Sequence, residues 1–155
     1  YHSHDGGIHF EVTKLNLEKG IPERGSFRGD GRGGQDRIYC TPGTRGNLWI
    51  AAFDGLYNAK DWNSGFELKE GVDEIHAFGF GKGKDDASQP ALFLVGTVNG
   101  IRGIFRSDDF ASSWTRINDD DHEWGLILHV TGDPKKFGRV YVGTHGRGAI
   151  YGDPV

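Results

Sequence analysis

The chain contains no methionine, one cysteine and five prolines among its 155 residues, and no apolar run approaches the roughly 20 residues that a membrane helix needs. The single cysteine, Cys40, excludes an internal disulfide and a multi-cysteine metal site, so we expect a buried thiol. Positive charge is not in excess either, since 18 Lys and Arg residues stand against 22 Asp and Glu residues. These basic residues are scattered along the sequence and form no cluster of the kind that binds the phosphate backbone of a nucleic acid. These absences predict a soluble chain whose partners include neither nucleic acid nor membrane.

Glycine is the residue that the chain has in abundance, with 26 copies. Frequent glycine is typical of proteins in which many turns join short strands. The apolar share of 35% and the aromatic share of 12% are sufficient for a hydrophobic core. We therefore predict an all-β fold. The opening segment from Tyr1 joins a strand end directly to a turn, so we expect the chain to begin inside a structural unit.

Three stretches of the sequence resemble one another, and each has an aspartate near its start and an aromatic residue at its end. The stretches are Ser3–Phe10, Ala59–Phe66 and Ser107–Trp114. Their aspartates lie 56 and then 48 residues apart, which fits one blade of a repeat fold. Each stretch predicts a hairpin turn whose aspartate accepts backbone N–H bonds and whose aromatic residue is buried under the hairpin. The aspartates are Asp5, Asp61 and Asp109. We interpret them as structural.

Alternating apolar segments precede each turn and complete a unit of four antiparallel strands, named A to D from the axis outward. Such units at this period predict β-propeller blades. Residues 1–155 would then form a partial propeller with the C–D end of one blade, two full blades and strands A to C of a closing blade. About three blades are too few to close a ring. We expect the remaining blades on a segment outside this chain or on a second copy.

Motifs in the second half of the chain resemble the C-terminal part of family 74 glycoside hydrolases, and the resemblance extends upstream through Gly46–Ala51 and Leu94–Phe105, so that it covers nearly the whole chain. The motifs are Gly103–Asp109, Trp114–Asp119, His122–Gly125, Thr131–Pro134, Gly138–Gly148 and Ile150–Pro154. The three aspartate turns are similar to the Asp-box of sialidases and sortilins. Departures are local: Phe110 and Ala111 occupy positions where the family usually has glycines, and Ala59 replaces a serine.

The resemblance implies a secreted, inverting enzyme that cleaves the β-1,4-glucan backbone of xyloglucan between two seven-bladed propellers. It also implies about three blades of one such propeller in this chain, and no cofactor. The family's two catalytic aspartates come from near the starts of the propellers, and no aspartate here matches either of them. The resemblance therefore predicts that this chain supplies cleft wall and no catalytic residue. A non-catalytic carbohydrate-binding or protein-binding propeller is the alternative.

The D-to-A and B-to-C connections should share the face that binds ligands. The candidate substrate-binding residues on these connections are Trp124, His122, Asn99, Arg102, His145 and Arg147. Trp124 precedes a glycine in a loop and can offer its ring to a sugar, and core packing is the alternative. For Arg102 and Arg147 we prefer the interpretation that they brace turns by donating to backbone carbonyls.

Two further clusters of polar residues invite a chemical role. The acidic run Asp119–Glu123 contains a histidine and is enzyme-like in composition, but successive acids in a loop are more typical of a solvated turn. His2, His4 and His9 surround the first turn with a spacing that indicates a chance cluster. We therefore predict no metal site.

Overall fold

The computed structural model describes residues 1–12, 37–52, 55–61, 64–85 and 89–154. Every regular element in these ranges is a β-strand, so the all-β prediction is confirmed. The strands are β1 (Arg37–Cys40), β2 (Leu48–Ala52), β3 (Gly55–Ala59), β4 (Glu67–Lys69), β5 (Val72–Gly81), β6 (Ala91–Val98), β7 (Ile101–Ser107), β8 (Thr115–Arg116), β9 (Ile127–Gly132), β10 (Val140–Thr144) and β11 (Ala149–Gly152). Across the described ranges, no helix has the length and hydropathy of a membrane span.

The strands form three sheets in which each strand pairs with the next one along the chain. The first sheet has the order β1-β2-β3-β4, the second β5-β6-β7-β8, and the third β9-β10-β11. All of these pairings are antiparallel, as short turns between consecutive strands require. The predicted four-stranded antiparallel sheet is confirmed in the first two cases.

The core lies between neighbouring sheets. One apolar cluster joins the first and second sheets around Trp49 and Leu94, and another joins the second and third around Phe93 and Val130. Strand β6 is buried on both of its faces because the second sheet has a neighbour on each side. This explains why β6 is a continuous apolar run rather than an alternating pattern.

The innermost strands β5 and β9 run side by side at very short range. Lys82 N donates to Asp133 O at 2.8 Å, and Thr131 Oγ1 donates to Phe80 O at 3.2 Å. A Cβ atom on Gly79 would lie only 2.3 Å from Val130 O, so this position has room for glycine alone. The absence of a side chain at Gly79 thus sets the spacing between two sheets.

The first and third aspartate turns have the same hydrogen-bond pattern. Asp5 Oδ1 accepts from Ile8 N and His9 N, both at 3.0 Å, and Gly7 N donates to Ser3 Oγ at 2.8 Å. In the third turn Asp109 Oδ1 accepts from Ser113 N at 2.8 Å, and Ser107 Oγ accepts from Ala111 N at 2.9 Å. The predicted aspartate–backbone bonds are therefore confirmed in these two turns.

The second turn differs because Ala59 has no hydroxyl to offer. Ser64 makes the bonds described in this turn: its Oγ accepts from Asp61 N at 3.1 Å and donates to Asp61 O at 3.0 Å, much as Ser112 Oγ donates to Asp109 O at 2.9 Å in the third turn. Residues 62 and 63 of this turn lie outside the described residues. The prediction that the Asp61 carboxylate accepts backbone bonds stays a prediction.

Burial of the terminal aromatic residues was predicted correctly in one case and wrongly in another. Phe66 is buried, and Trp114 is half-buried against the first core cluster. Phe10 is 62% exposed, so its predicted burial is wrong. In residues 1–12 the hairpin is held by a single bridge between His2 and Glu11. This bridge provides no sheet against which Phe10 could pack. The expected burial of Cys40 is also wrong, since the residue is exposed on β1, an edge strand of the first sheet.

Candidate functional site

The loop face, as we name it, comprises the β4–β5 turn at 70–71, the β6–β7 turn at 99–100, the β8–β9 connection at 117–126 and the β10–β11 turn at 145–148. Backbone bonds tie neighbouring connections together: Asn99 N donates to Gly71 O at 2.8 Å, and His145 N donates to Leu126 O at 2.9 Å. The predicted face also includes the D-to-A connection at 18–36, which lies outside the described residues, and the B-to-C connection at 54–55, of which Asp54 lies outside them.

A pocket of about 200 Å³ lies at the loop face between the second and third sheets. His76, Arg102, Asn118 and Glu123 supply its polar lining, and Val95 and Ile104 are among its apolar lining residues. A concave site with an apolar floor and a few convergent polar groups is the usual form of a small-ligand site. The structure thus brings one predicted residue, Arg102, into a pocket whose other polar groups come from two different elements, strand β5 and the β8–β9 connection.

Strand β5 contributes a carboxylate–imidazole contact at this pocket that could not be identified from the sequence. Glu74 Oε1 lies 3.1 Å from His76 Nε2, and Thr97 Oγ1 donates to Glu74 Oε2 at 3.4 Å. Both members of the pair are partly buried. The pairing register shifts between Ile75 and Ala77, and a bulge of this kind re-aims the side chain at the extra residue, here His76. The alternating sequence Glu74-Ile75-His76 is the signal from which both polar side chains could have been predicted to lie on the same face of the strand.

Asn118 fixes the start of the β8–β9 connection. Its Oδ1 accepts from Ile104 N at 2.7 Å, and its Nδ2 donates to Asp119 O at 3.0 Å and to His122 O at 3.1 Å. One side chain therefore attaches the loop to β7 and closes the turn that carries His122. This bracing gives the residues that follow a defined position beside the pocket.

The acidic run is arranged as a set of local charge pairs. Asp119 Oδ1 lies 2.5 Å from His122 Nδ1, and Arg116 is 2.7 Å from Asp120 and 3.8 Å from Glu123. The hydrogen bond from His122 is the main cause that lowers the pKa of Asp119 from its ordinary value. A carboxyl with a lowered pKa is a poor general acid near neutral pH. The geometry supports the interpretation of this run as a solvated turn.

Trp124 occupies a strained position on the loop face. Its backbone has a φ of +50°, in the left-handed region that bulky side chains avoid. The side chain is half-buried: it packs against the second core cluster, and its ring lies 5.6 Å from that of His122. Its indole therefore serves packing in part and leaves the rest of its surface beside an exposed histidine. Strained residues of this kind concentrate at ligand sites.

The two candidate arginines do not brace turns. Neither guanidinium, of Arg102 or of Arg147, has a backbone carbonyl as acceptor among the residues described, and both side chains are exposed. The turn that holds Arg147 is instead closed by Thr144, whose Oγ1 accepts from Arg147 N at 3.0 Å and donates to Gly148 O at 2.8 Å. Our preference for bracing is wrong, and both guanidinium groups face solvent.

Asn99 and His145 are exposed at the ends of their turns. Asn99 adopts a φ of +49°, and Gly100 N donates to Asp73 Oδ2 at 2.8 Å, so this turn is fixed at both of its central residues. His145 adjoins Leu126, a pocket-lining residue, through its backbone bond. Among the six predicted residues, Arg102 lines the pocket and the other five lie on the surrounding connections.

Comparison with known proteins identifies the family. No protein-family model matches the chain. A xyloglucanase of Paenibacillus sp is 39% identical over 161 residues, which covers 100% of this chain and 14% of that protein. A xyloglucanase of Acetivibrio thermocellus is 38% identical over 157 residues, which covers 99% of this chain and 17% of that protein. The crystal structure of the family 74 enzyme of Niastella koreensis matches 74% of this chain and 17% of its own length, with a TM-score of 0.70 and 40% identity.

The chain corresponds to a partial segment of a family 74 glycoside hydrolase. The resemblance inferred from the sequence motifs is thereby confirmed. The segment spans less than a fifth of the length of the curated relatives that it matches. Its sheets and loop face are accordingly one part of a larger family 74 architecture.

Proposed function

We propose that the protein to which this family 74 segment belongs hydrolyses the β-1,4-glucan backbone of xyloglucan, and that the segment forms part of the wall of the substrate cleft. The observation that carries the proposal is the similarity to xyloglucanases along essentially the whole chain. We extend the proposal to a secreted enzyme and to the inverting mechanism, in which an acid and a base lie about 6.5–9.5 Å apart.

Two features of the loop face favour a carbohydrate as its ligand. The pocket offers hydrogen-bonding groups of both kinds, since Arg102 can only donate while Glu123 can accept. Trp124 lies between Glu123 and Gly125, two residues that line the same pocket, and its half-buried ring packs against the second core cluster, which includes the pocket-lining residues Val95 and Ile104. Sugars present hydroxyl groups around an apolar ring face, so a site with these two features suits them.

The proposed role of this segment is to bind and position the substrate, and the acid and base of the reaction are proposed to lie elsewhere in the parent protein. Asp119 is paired with His122, and Asp120 and Glu123 are paired with Arg116, so each of these carboxylates already has a local partner within the loop. Losing a general acid or base costs about 10² to 10⁴ in rate, so the chain alone should release no measurable reducing sugar.

The activity test compares the chain alone with the chain supplied together with the remaining portion of its parent protein. We expect reducing sugar from xyloglucan only in the second case. Robust turnover by the chain alone would place the catalytic carboxylates in the Asp119–Glu123 run and overturn the proposed division of roles. No turnover in either case would overturn the proposed hydrolysis.

The binding test uses calorimetric titration of the chain with xyloglucan oligosaccharides. We expect Trp124→Ala and Arg102→Ala each to weaken binding about tenfold, since the loss of one aromatic or charged contact costs about 1.4 kcal/mol. Tyr151→Ala is the matched control, because Tyr151 is an exposed aromatic residue on β11 and not on the loop face. Equal losses in Tyr151→Ala and Trp124→Ala would contradict the placement of the ligand.

A further inference from the structure

The first hairpin brings three side chains of metal-ligating type, His2, His4 and Glu11, close together beside its isolated bridge. His2 and Glu11 are directly opposite each other, with backbone N–H···O distances of 2.9 Å in both directions. Directly opposite residues of an antiparallel pair project their side chains on the same side. His4 follows His2 by two residues, and its ring lies 4.8 Å from that of His2 in an edge-on contact.

The ligand atoms of these three side chains converge. One nitrogen from each histidine and one Glu11 oxygen all lie within 4.8 Å of one another, and His2 Nε2 is 3.6 Å from Glu11 Oε2. In a tetrahedral zinc site with bonds of about 2.0–2.1 Å, neighbouring ligand atoms are about 3.4 Å apart. Side-chain rotations close this difference, since the carboxylate-bearing chain of Glu11 is 73% exposed while His2 is only 16% exposed.

We propose that His2, His4 and Glu11 form a binding site for a divalent transition metal, with zinc as the best-suited ion. Two imidazoles and one carboxylate form one of the protein ligand sets found in open zinc sites, in which a water or another ligand takes the fourth position. Sequence spacing alone groups His9 with His2 and His4. The hairpin instead brings Glu11 opposite His2, so Glu11 and not His9 completes the cluster.

His9 is held apart from this cluster by the turn. Its Nδ1 lies 2.5 Å from Asp5 Oδ2, and Asp5 Oδ1 is fixed by the backbone bonds from Ile8 and His9. The same hairpin thus contains one histidine outside the cluster, which provides a matched control. A bound ion would join the two strands beside the turn, where a single backbone bridge pairs them in the described residues 1–12.

The experiment titrates the 155-residue chain with Zn²⁺ in competition with a chromophoric chelator. We expect one site per chain, and an affinity at least about tenfold weaker in His4→Ala and in Glu11→Gln, because even the loss of an outer-shell partner costs about 10- to 100-fold in metal affinity. His9→Asn should bind like the wild type. In parallel, NMR of the imidazole groups should show Zn²⁺-dependent shifts of His2 and His4 and none of His9.

Two results would overturn the proposal. One is the absence of a site tighter than about 1 mM, far weaker than structural zinc sites. The other is an equal loss of affinity in His9→Asn and His4→Ala. That result would show that His9 binds the ion as much as His4 does, which the proposed site excludes. Glu11→Gln preserves the shape of its side chain, so its result stands even if His4→Ala perturbs the hairpin.

Discussion

Replacing Gly79 with alanine tests whether the spacing of the innermost strands stabilises the fold. The added Cβ would lie 2.3 Å from Val130 O and 3.1 Å from Thr131 Cα, both of which are backbone atoms of β9. Relief requires β5 and β9 to separate by about 1 Å, to the ordinary contact distance. Overpacking of this kind costs about 1–3 kcal/mol. Separation also weakens the Lys82–Asp133 and Thr131–Phe80 hydrogen bonds, each worth about 1 kcal/mol.

Alanine offsets about 0.5–1 kcal/mol of this cost, because it loses less backbone freedom on folding than glycine does. The net expectation is a loss of about 3 kcal/mol in the free energy of unfolding, and a fall in Tm of about 10 °C for a chain of this size. Urea denaturation and calorimetry measure the two quantities. The matched control is Gly152→Ala on β11, where the nearest atom to an added Cβ is Val140 Cγ1 at 3.8 Å.

The control should change stability by less than about 0.5 kcal/mol. A change within that limit in Gly79→Ala would show that β5 and β9 can move apart without cost, and would refute a role for Gly79 in stability. An equal loss in Gly152→Ala would also refute it, because the effect would then arise from alanine in a strand and not from contact between sheets.

Two further changes probe the buried polar groups and the aspartate turns. Asn47→Ala should lower the free energy of unfolding, measured by urea denaturation, by about 2–4 kcal/mol. The buried Asn47 side chain forms hydrogen bonds with Thr41, Asn58 and Ala59 O, and each lost partner leaves a buried polar group unsatisfied. A loss below about 0.5 kcal/mol would contradict this expectation. Burial alone would raise the pKa of Asp109, but hydrogen bonds from Ser113 and Ser107 lower it below the ordinary 3.8. The stability that Asp109 contributes is therefore complete above the unfolded-state pKa and is lost as the pH falls through the folded-state pKa. The Tm difference between wild type and Asp109→Asn should shrink from pH 6 to pH 3, and an unchanged difference would count against the assignment.

Features that depend on a few neighbouring residues could be predicted from the sequence. The bonds of Asp5 and Asp109 form within their own turns, where the spacing from Ser3 and Ser107 already specifies donor and acceptor. The order of strands within each sheet followed from the same local rule, since short turns join antiparallel neighbours. Ala59 departs from the repeat in sequence, but the bonds between Ser64 and Asp61 depend on the geometry of the turn.

Burial and site assembly could not be predicted in this way, because they depend on residues distant in sequence. Phe10 and Phe66 occupy equivalent places in their repeats, yet only Phe66 has a packed sheet beside it. The pocket joins His76 on β5, Arg102 on β7 and Glu123 on the β8–β9 connection, and no sequence spacing relates the three. The exposure of both arginines likewise depends on which carbonyls the turns have already satisfied.

Backbone strain distinguishes the third aspartate turn from the loop face. Phe110 and Ala111, which replace glycines expected from the family resemblance, have φ values of +60° and +66°. A left-handed conformation costs about 1–2 kcal/mol for a residue with a Cβ. Packing offsets this cost here, since Ala111 is buried and the ring of Phe110 lies 4.7 Å from that of Trp49.

At Trp124 the same kind of strain is offset less completely. Its side chain is only half-buried, and the glycine that follows it also has a positive φ, so two successive left-handed residues turn the chain at the edge of the pocket. A strained backbone that holds an aromatic ring partly open to solvent gives less stability than the same ring would give inside the core. The arrangement is understandable if the free part of the indole contacts a ligand, which is why Trp124 is the most informative single position on the loop face.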